Sequence, residues 1–249
     1  MAKHITLGVD IGGSGIKGAL VDIEKGELVS ERFRLETPQP ATPKNVTKTF
    51  QKVVAHFDYN GPIGCGFPAV IKNGVSFTAS NIHKDWIGTN ASRILSEATD
   101  CAVTVLNDAD AAGVAEITFG VGKKVEGIVI LITIGTGLGS AIFLDGKLLP
   151  NTEFGHIYLK GHKQVAERYA SNAARKREDM SYDEWAKRFR EYLEHLQFIF
   201  TPDLFILGGG ASKKFNKYDE VLEGIRTKIV TAEMLNEAGI IGAAYLASQ

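Results

Sequence analysis

Two stretches decide the fold: LGVDIGGSGIKGALVDIEKG (residues 7–26) and ILITIGTGLGSAIFLDG (residues 130–146). A constant offset of 123 positions aligns them and places, for example, Gly12 on Gly135. Each copy reads as a strand, a glycine-rich turn, a second strand, an acidic-glycine turn and a third strand. Two similar units at half the chain length predict an internally duplicated molecule with two lobes.

Strands and helices alternate along the rest of the chain, which is typical of an α/β protein. The hairpins inside each repeat predict mixed sheets rather than purely parallel ones. Asn73-Gly74 indicates a further hairpin turn, and AGIIGAAYLA near the end predicts a small-residue helix. The remaining pattern predicts a helix over 45–57, a strand over 63–67, a helix over 88–98, a strand over 102–106 and a helix over 109–118.

A long amphipathic helix is predicted to begin at Ser181. Ser181 and Glu184 form a capping-box pattern. From Trp185 to Phe200, apolar residues recur at helical spacing along one face. This stripe belongs either to the core or to a dimer contact.

Composition excludes several classes of protein. Lys plus Arg (28) nearly balance Asp plus Glu (29), for a formal charge of −1, so nothing calls for a nucleic-acid or anionic-membrane partner. Cys65 and Cys101 are the only cysteines, which fits a reducing compartment and excludes a four-thiolate zinc site. The longest apolar run, about seven residues, is far shorter than a membrane span. Because a strand is predicted from residue 5, we expect no signal peptide and a cytoplasmic protein.

Three glycine-rich turns, at 12–15, 135–139 and 208–210, each follow an apolar strand. Glycine lets backbone N–H groups converge on phosphate oxygens. For any one turn, tight-turn geometry explains the glycines equally well, but three such turns together favour a phosphate cradle. The G-x-G-x-x-G match at 13–18 is followed by a strand rather than a helix, which disfavours a dinucleotide-binding fold.

A carboxylate follows the predicted strand 102–106, where Asn107 and Asp108 come in succession and Asp110 is close behind. On pattern alone, N-capping of the next helix is slightly favoured as the role of Asp108. Asp110 suits the first turn of that helix, where negative charge complements the helix dipole.

The combination of motifs resembles the ROK family of sugar kinases, and the likeness covers nearly the whole chain in order. The segments that carry it are VDIGGSGIKGALVD, GFPA, LNDADAAGVAE, ITIGTGLGSAIF, NTEFGHI, AERYAS and LFILGGGASKK. Many members carry a zinc-binding C-x-C-G-x-x-G-C run after their E-x-G-H segment. This chain instead has GHIYLKGHKQVAERYAS, which is similar to the polyphosphate-dependent glucokinases of the family, so no zinc is expected.

The resemblance implies an α/β fold of two RNase H-like lobes, as in the actin-like ATPase and sugar kinase superfamily. These lobes have mixed sheets, and both substrates lie in the cleft between them. We place the small N-terminal lobe at 1–108 and the larger lobe at 109–236, and expect a helix over 237–249 to pack back on the first lobe. A homodimer is also expected from the family.

The resemblance further implies transfer of a phosphoryl group from inorganic polyphosphate, ATP or both to the 6-hydroxyl of glucose. It makes Asp108 the general base that accepts the hydroxyl proton, which reverses the capping interpretation. Asp10 matches an acidic residue near the donor phosphates and Mg²⁺. Residues at sugar-binding positions are Asn81, Asn107, Glu153, His156 and Glu167. Residues at donor-binding positions are Gly12, Gly13, Ser14, Lys17, Gly135, Thr136, Gly137, Gly209, Gly210, Lys213 and Lys214.

Two alternatives stay open. One is a kinase that uses ATP alone on glucose or mannose, because the same loops serve either donor. The other is a non-catalytic sugar-sensing regulator, since ROK proteins include transcriptional repressors with an N-terminal DNA-binding extension. Asp108, and a first strand predicted near residue 5, favour catalysis over regulation.

Overall fold

The computed structural model describes residues 4–249. The chain divides into two compact units. The first comprises the residues up to Phe119 together with Asn236–Gln249, and the second comprises Gly120–Leu235. The first unit therefore includes the helix that begins at Asp108, whereas the sequence predicts that the second lobe begins at residue 109.

Each unit is built around a mixed sheet. The strands of the first unit are β1 (Ile5–Ile11), β2 (Gly15–Asp22), β3 (Glu27–Leu28), β4 (Phe33–Glu36), β5 (Ile63–Phe67), β6 (Ile71–Lys72), β7 (Val75–Ser76) and β8 (Val103–Asn107). Those of the second unit are β9 (Ile128–Ile134), β10 (Leu138–Leu144), β11 (Lys147–Leu149), β12 (Leu204–Gly208) and β13 (Lys228–Thr231).

Helices flank both sheets. They are α1 (Pro43–His56), α2 (Ala91–Thr99), α3 (Asp108–Thr118), α4 (Ala166–Ala170), α5 (Asn172–Arg177), α6 (Tyr182–Phe200), α7 (Gly209–Ser212), α8 (Asp219–Leu222) and α9 (Ala238–Ala247). The predicted helices and strands are confirmed, with bounds that differ by up to three residues. No helix among the described residues is long and apolar enough to cross a membrane.

The internal repeat is visible in the sheet topology. The first sheet has the order β3-β2-β1-β5-β8, with β4 also paired to β2, and the second has the order β11-β10-β9-β12-β13. In both, the first strand of the repeat is antiparallel to the second and parallel to its other neighbour. Strand β9 begins and ends 123 positions after β1, so the predicted mixed sheets and duplication are confirmed.

Helix α9 packs closely on the first sheet and on α3 because small residues line the contact. A Cβ on Gly8 or Gly64 would overlap the carbonyl groups of Ile240 or Ala243 in α9. A Cβ on Gly242 would likewise overlap a carbonyl group of α3. The predicted small-residue helix is therefore confirmed, and its packing brings its first turn to the end of β1.

Helix α6 provides much of the core of the second unit. Its capping box is present: the Ser181 hydroxyl accepts the Glu184 N–H, and the Glu184 carboxylate accepts the Ser181 N–H. The apolar stripe is fully buried from Trp185 to Leu196, and Phe200 packs partly buried against the same core, so the stripe belongs to the core rather than to a dimer contact. The side chain of Phe198, near the end of the helix, is instead 85% exposed.

Candidate active site

Two predicted carboxylates lie at one edge of the first sheet. Strands β1, β5 and β8 are parallel neighbours, so their carboxyl ends meet at the same edge. A Cβ on Gly66 in β5 would lie 3.5 Å from Asp10 Oδ1 and 3.7 Å from the Cα of Asp108. Gly66 lies between the two acidic residues and has no side chain to keep them apart. The fold therefore brings Asp10 and Asp108 close together.

Asn107, rather than Asp108, caps helix α3. Its Oδ1 accepts the N–H groups of Ala109 at 2.9 Å and Asp110 at 3.2 Å, and its Nδ2 donates to the Ala69 carbonyl at 3.1 Å. Asp108 is the first helical residue, half-buried, with Oδ1 accepting the Ala109 N–H at 2.8 Å. The capping alternative for Asp108 was thus wrong.

Asp10 is held from two sides. Lys17 Nζ lies 2.8 Å from Asp10 Oδ2, and a Cβ on Gly239 in the first turn of α9 would lie 3.2 Å from the Asp10 Cγ. The carboxylate therefore lies between an ammonium group and the positive end of a helix dipole. Among the described residues, no group of three or more His, Cys, Asp or Glu side chains could hold a metal ion.

The first glycine turn is closed by its own backbone and supported by Arg34. The Gly12 N–H donates to the Gly15 carbonyl at 2.9 Å, and Arg34 Nη2 donates to the Ser14 carbonyl at 2.7 Å. Since the Gly12 amide is used inside the turn, phosphate contacts would come from Gly13 and Ser14. Sequence reasoning missed Arg34, because no local pattern connects it to a turn 20 residues away.

Asn81 lies beside this turn and is exposed. A Cβ on Gly13 would be 3.5 Å from the Asn81 carbonyl oxygen, an ordinary van der Waals contact. The predicted sugar-binding Asn81 and the predicted donor-binding Gly13 are thus neighbours in the first unit.

The second glycine turn repeats this design in the second unit. The Gly135 N–H donates to the Gly137 carbonyl at 3.0 Å, and the Gly135 carbonyl accepts the Ala173 N–H of α5 at 3.2 Å. Thr136 lies exposed at the tip. A Cβ on Gly135 would meet nothing within 4 Å, so one side of the turn is open to a ligand.

The third glycine segment opens helix α7 instead of forming a simple turn. Gly209 has φ +79°, and a Cβ there would lie 2.6 Å from the Ile134 backbone, so only glycine fits. This contact places Gly209 beside the end of β9, next to the second turn. Gly210 has open space around it, and the exposed Lys213 and Lys214 follow directly.

Glu153, His156 and Glu167 form a cluster in the second unit. His156 Nδ1 lies 3.5 Å from Glu153 Oε2, and His156 Nε2 lies 3.6 Å from Glu167 Oε1. The three side chains are partly exposed, by 37%, 41% and 24% in sequence order. Burial, with a smaller contribution from the Glu167 charge, raises the pKa of Glu153, and His156 opposes this. A cluster of two carboxylates and one imidazole can bind several hydroxyl groups at once.

Ser140 of β10 fixes the chain on both sides of Glu153. Its Oγ donates to the Thr152 carbonyl at 2.7 Å and accepts the Phe154 N–H at 3.0 Å. The Thr152 hydroxyl donates to the Ser140 carbonyl at 3.1 Å. Because Ser140 is buried, these bonds are shielded from water and hold Glu153 in place.

Helix α4, which carries Glu167, is held by α6. The Trp185 indole donates to the Ala170 carbonyl at 2.8 Å, and the Tyr169 hydroxyl donates to Glu191 Oε2 at 3.0 Å. His162, from the loop that precedes α4, lies 2.9 Å from Glu191 Oε1. Sequence reasoning missed Tyr169, His162 and Glu191, because the contact joins residues 22 and 29 positions apart.

Comparisons with known proteins identify the family of this chain. The sequence model of the ROK family matches residues 6–174. Polyphosphate glucokinase from Mycobacterium tuberculosis (strain CDC 1551 / Oshkosh) is 48% identical over 238 residues, which cover 95% of this chain and 89% of that protein.

Solved structures give the same result. The crystal structure of inorganic polyphosphate/ATP-glucomannokinase from Arthrobacter sp. strain KM has a TM-score of 0.93 and 46% sequence identity, and covers 98% of each chain. A ROK family glucokinase from Streptomyces griseus, in complex with glucose and AMPPNP, has a TM-score of 0.82 and 26% identity, and covers 97% of this chain and 98% of that one.

Proposed function

Because this chain belongs to the ROK family, we propose which of its residues carry out the reaction of a glucokinase. The chain transfers a phosphoryl group from inorganic polyphosphate or ATP to glucose, as its similarity to polyphosphate glucokinase and to polyphosphate/ATP-glucomannokinase supports. Asp108 supplies the base, and Glu153, His156 and Glu167 hold the sugar.

The observation that carries the proposal for the base is the placement of Asp108. It follows directly on strand β8 and lies close to Asp10 across Gly66, while Asn107 caps the helix. Asp108 accepts the proton of the glucose 6-hydroxyl as the oxygen attacks phosphorus. The backbone of β8 and α3 fixes its direction, so little reorganisation precedes the transfer.

The sugar is held by Glu153, His156 and Glu167. Each carboxylate accepts hydrogen bonds from ring hydroxyls, and the imidazole between them donates or accepts one more. A site built on such groups rejects a sugar that lacks a hydroxyl, because a carboxylate or imidazole covered by the bound sugar would lose its partner. Asn107 contributes through the second hydrogen of its amide, and Asn81 through its exposed side chain.

The donor phosphates bind to the glycine turns and to Lys17. Asp10 fits Mg²⁺ as a single carboxylate ligand, an arrangement in which water and substrate phosphates complete the shell. When bound, the ion would neutralise developing charge on the transferred group. Lys213 and Lys214 follow the third glycine segment and extend positive charge along a polyanion such as polyphosphate.

The test is a phosphorylation assay on purified protein that crosses polyphosphate and ATP with glucose and mannose, with and without Mg²⁺. The proposal predicts sugar phosphate formation from glucose with both donors, and loss of activity when Mg²⁺ is chelated. Mannose is included because the Arthrobacter enzyme is a glucomannokinase. Formation of sugar phosphate from ATP alone would instead support the ATP-only alternative.

We also propose a homodimer. Exposed apolar side chains on the second unit support it, among them Phe198 at 85% and Leu149 at 59% exposure, since exposed apolar area is typical of interfaces. Light scattering on the wild type and on Phe198→Glu tests this. We expect the wild type to be a dimer and Phe198→Glu to be a monomer. A monomeric wild type would contradict the proposal.

A further inference from the structure

The backbone conformation of Gly137 does not explain why this residue is a glycine. Its φ is not among the positive values of this chain, so the left-handed region does not require glycine there. A Cβ on Gly137 would, however, lie well inside 3.0 Å of Glu167 Oε2 and 3.5 Å from its Cδ. The Glu167 carboxylate thus occupies the volume that any side chain at position 137 would need.

Gly135, two residues earlier in the same turn, differs. Its φ is also not positive, but a Cβ there would meet nothing within 4 Å. The turn therefore has one glycine that faces open space and another that faces a carboxylate. The two residues close the same turn through the Gly135 N–H and Gly137 carbonyl, so they differ in what a side chain would meet and not in which turn they belong to.

Helix α4 cannot easily withdraw to make room for a methyl group at position 137. Its last carbonyl accepts from the Trp185 indole, the Tyr169 ring lies 4.8 Å from the Arg188 guanidinium, and the Tyr169 hydroxyl binds Glu191. The flexible part of the contact is the Glu167 side chain itself. A methyl group would therefore displace the carboxylate, including the oxygen that lies 3.6 Å from His156 Nε2.

We infer that Gly137 is a positioning residue for the sugar, although it lies in a turn whose other members bind the donor. This inference rests on the proposed function of Glu167 as a sugar ligand. The absence of a side chain at 137 lets the Glu167 carboxylate lie against the turn, with one oxygen toward the Gly137 backbone and the other toward His156. Gly135 faces the donor, so the two glycines serve different substrates.

The experiment compares Gly137→Ala with its matched control, Gly135→Ala, by steady-state kinetics with each substrate varied. Gly137→Ala should raise the KM for glucose about tenfold or more, the usual effect of losing a charge-assisted hydrogen bond, and change the KM for polyphosphate by less than about twofold. Gly135→Ala should do the reverse, with a raised KM for polyphosphate and an unchanged KM for glucose.

A double-mutant cycle shows whether Gly137 acts through Glu167. In a Glu167→Ala background, adding Gly137→Ala should cause no further rise in the glucose KM. A rise as large as in the wild-type background would overturn the inference, because the methyl group would then act on something else. If Gly137→Ala alone fails to fold, the double variant should fold again, and failure of both would also overturn it.

Failure of the proposed function is separable from failure of the inference. If Glu167→Gln leaves the glucose KM unchanged, Glu167 is not a sugar ligand and the proposed function of that residue is wrong. If Glu167→Gln raises the glucose KM but Gly137→Ala does not, the sugar ligand stands and the inference about Gly137 is wrong.

Discussion

Replacing Ser140 with alanine should disturb glucose binding without touching any residue that contacts glucose in our proposal. Ser140 Oγ binds the residues before and after Glu153, as donor to the Thr152 carbonyl and acceptor of the Phe154 N–H. Alanine removes both bonds and keeps the backbone of β10. Glu153 itself is unchanged, but the residues on either side of it each lose a hydrogen bond to Ser140.

The size of the effect follows from the burial of Ser140. An N–H that loses its acceptor costs about 1–3 kcal/mol, and the second bond adds about 1 kcal/mol, so we expect a loss of roughly 2–4 kcal/mol. For a chain of this length each kcal/mol lowers Tm by about 2–4 °C, which predicts a fall of about 4–16 °C. We expect the glucose KM to rise about tenfold, which is about 1.4 kcal/mol of binding free energy.

The assay combines thermal unfolding with steady-state kinetics at varied glucose and varied donor. Ser181→Ala is the matched control, because it removes the capping-box hydroxyl of α6 and costs about 1 kcal/mol at a position outside the proposed site. Both variants should lower Tm, but only Ser140→Ala should raise the glucose KM, with the donor KM unchanged. An equal glucose KM in the two variants would refute the idea that Ser140 positions Glu153.

Three further predictions concern the same site. Burial raises the pKa of Glu153 above 4.5, so its protonated form stabilises the fold at low pH and this contribution is lost as pH rises through the raised pKa. If the carboxylate binds sugar, kcat/KM for glucose should fall on acidification at a higher pH than an ordinary glutamate would give, and Glu153→Gln should remove that limb of the pH profile. Tyr169→Phe deletes a hydrogen bond to Glu191 worth about 1 kcal/mol and should raise the glucose KM about twofold to fivefold at unchanged kcat; a loss of kcat alone would contradict a positioning role. Replacing Lys213 and Lys214 with alanine should weaken use of polyphosphate more than use of ATP, most clearly at low salt, and equal losses for both donors would count against a polyanion contact there.

The sequence predicts those parts of the site whose residues directly follow a predicted strand. The apolar run 102–106 predicts that Asn107 and Asp108 lie at the end of a strand. The role of Asp10 follows only from the resemblance to the ROK family. The residue pattern alone slightly favours Asp108 as the cap, since Asn107 and Asp108 are both good caps and only the backbone geometry at the end of β8 distinguishes them. The resemblance to the ROK family instead makes Asp108 the base.

Other parts could not be predicted because no short-range pattern marks them. Arg34, Ser140 and the Tyr169–Glu191 contact act across 12 to 22 positions, and serine, arginine or tyrosine at those positions is unremarkable alone. Gly137 shows a further limit. A glycine in a turn has several possible causes, and only its distance to Glu167 identifies the one that applies.

The central claim is that Asp108 removes the proton from the glucose hydroxyl during phosphoryl transfer, and turnover of Asp108→Asn tests it most directly. Asparagine keeps the size of the side chain and an oxygen that can accept the Ala109 N–H, but it cannot take a proton. We predict that kcat falls by about 100-fold to 10,000-fold while calorimetry still detects glucose binding. A variant that binds glucose and keeps most of its turnover would contradict the account.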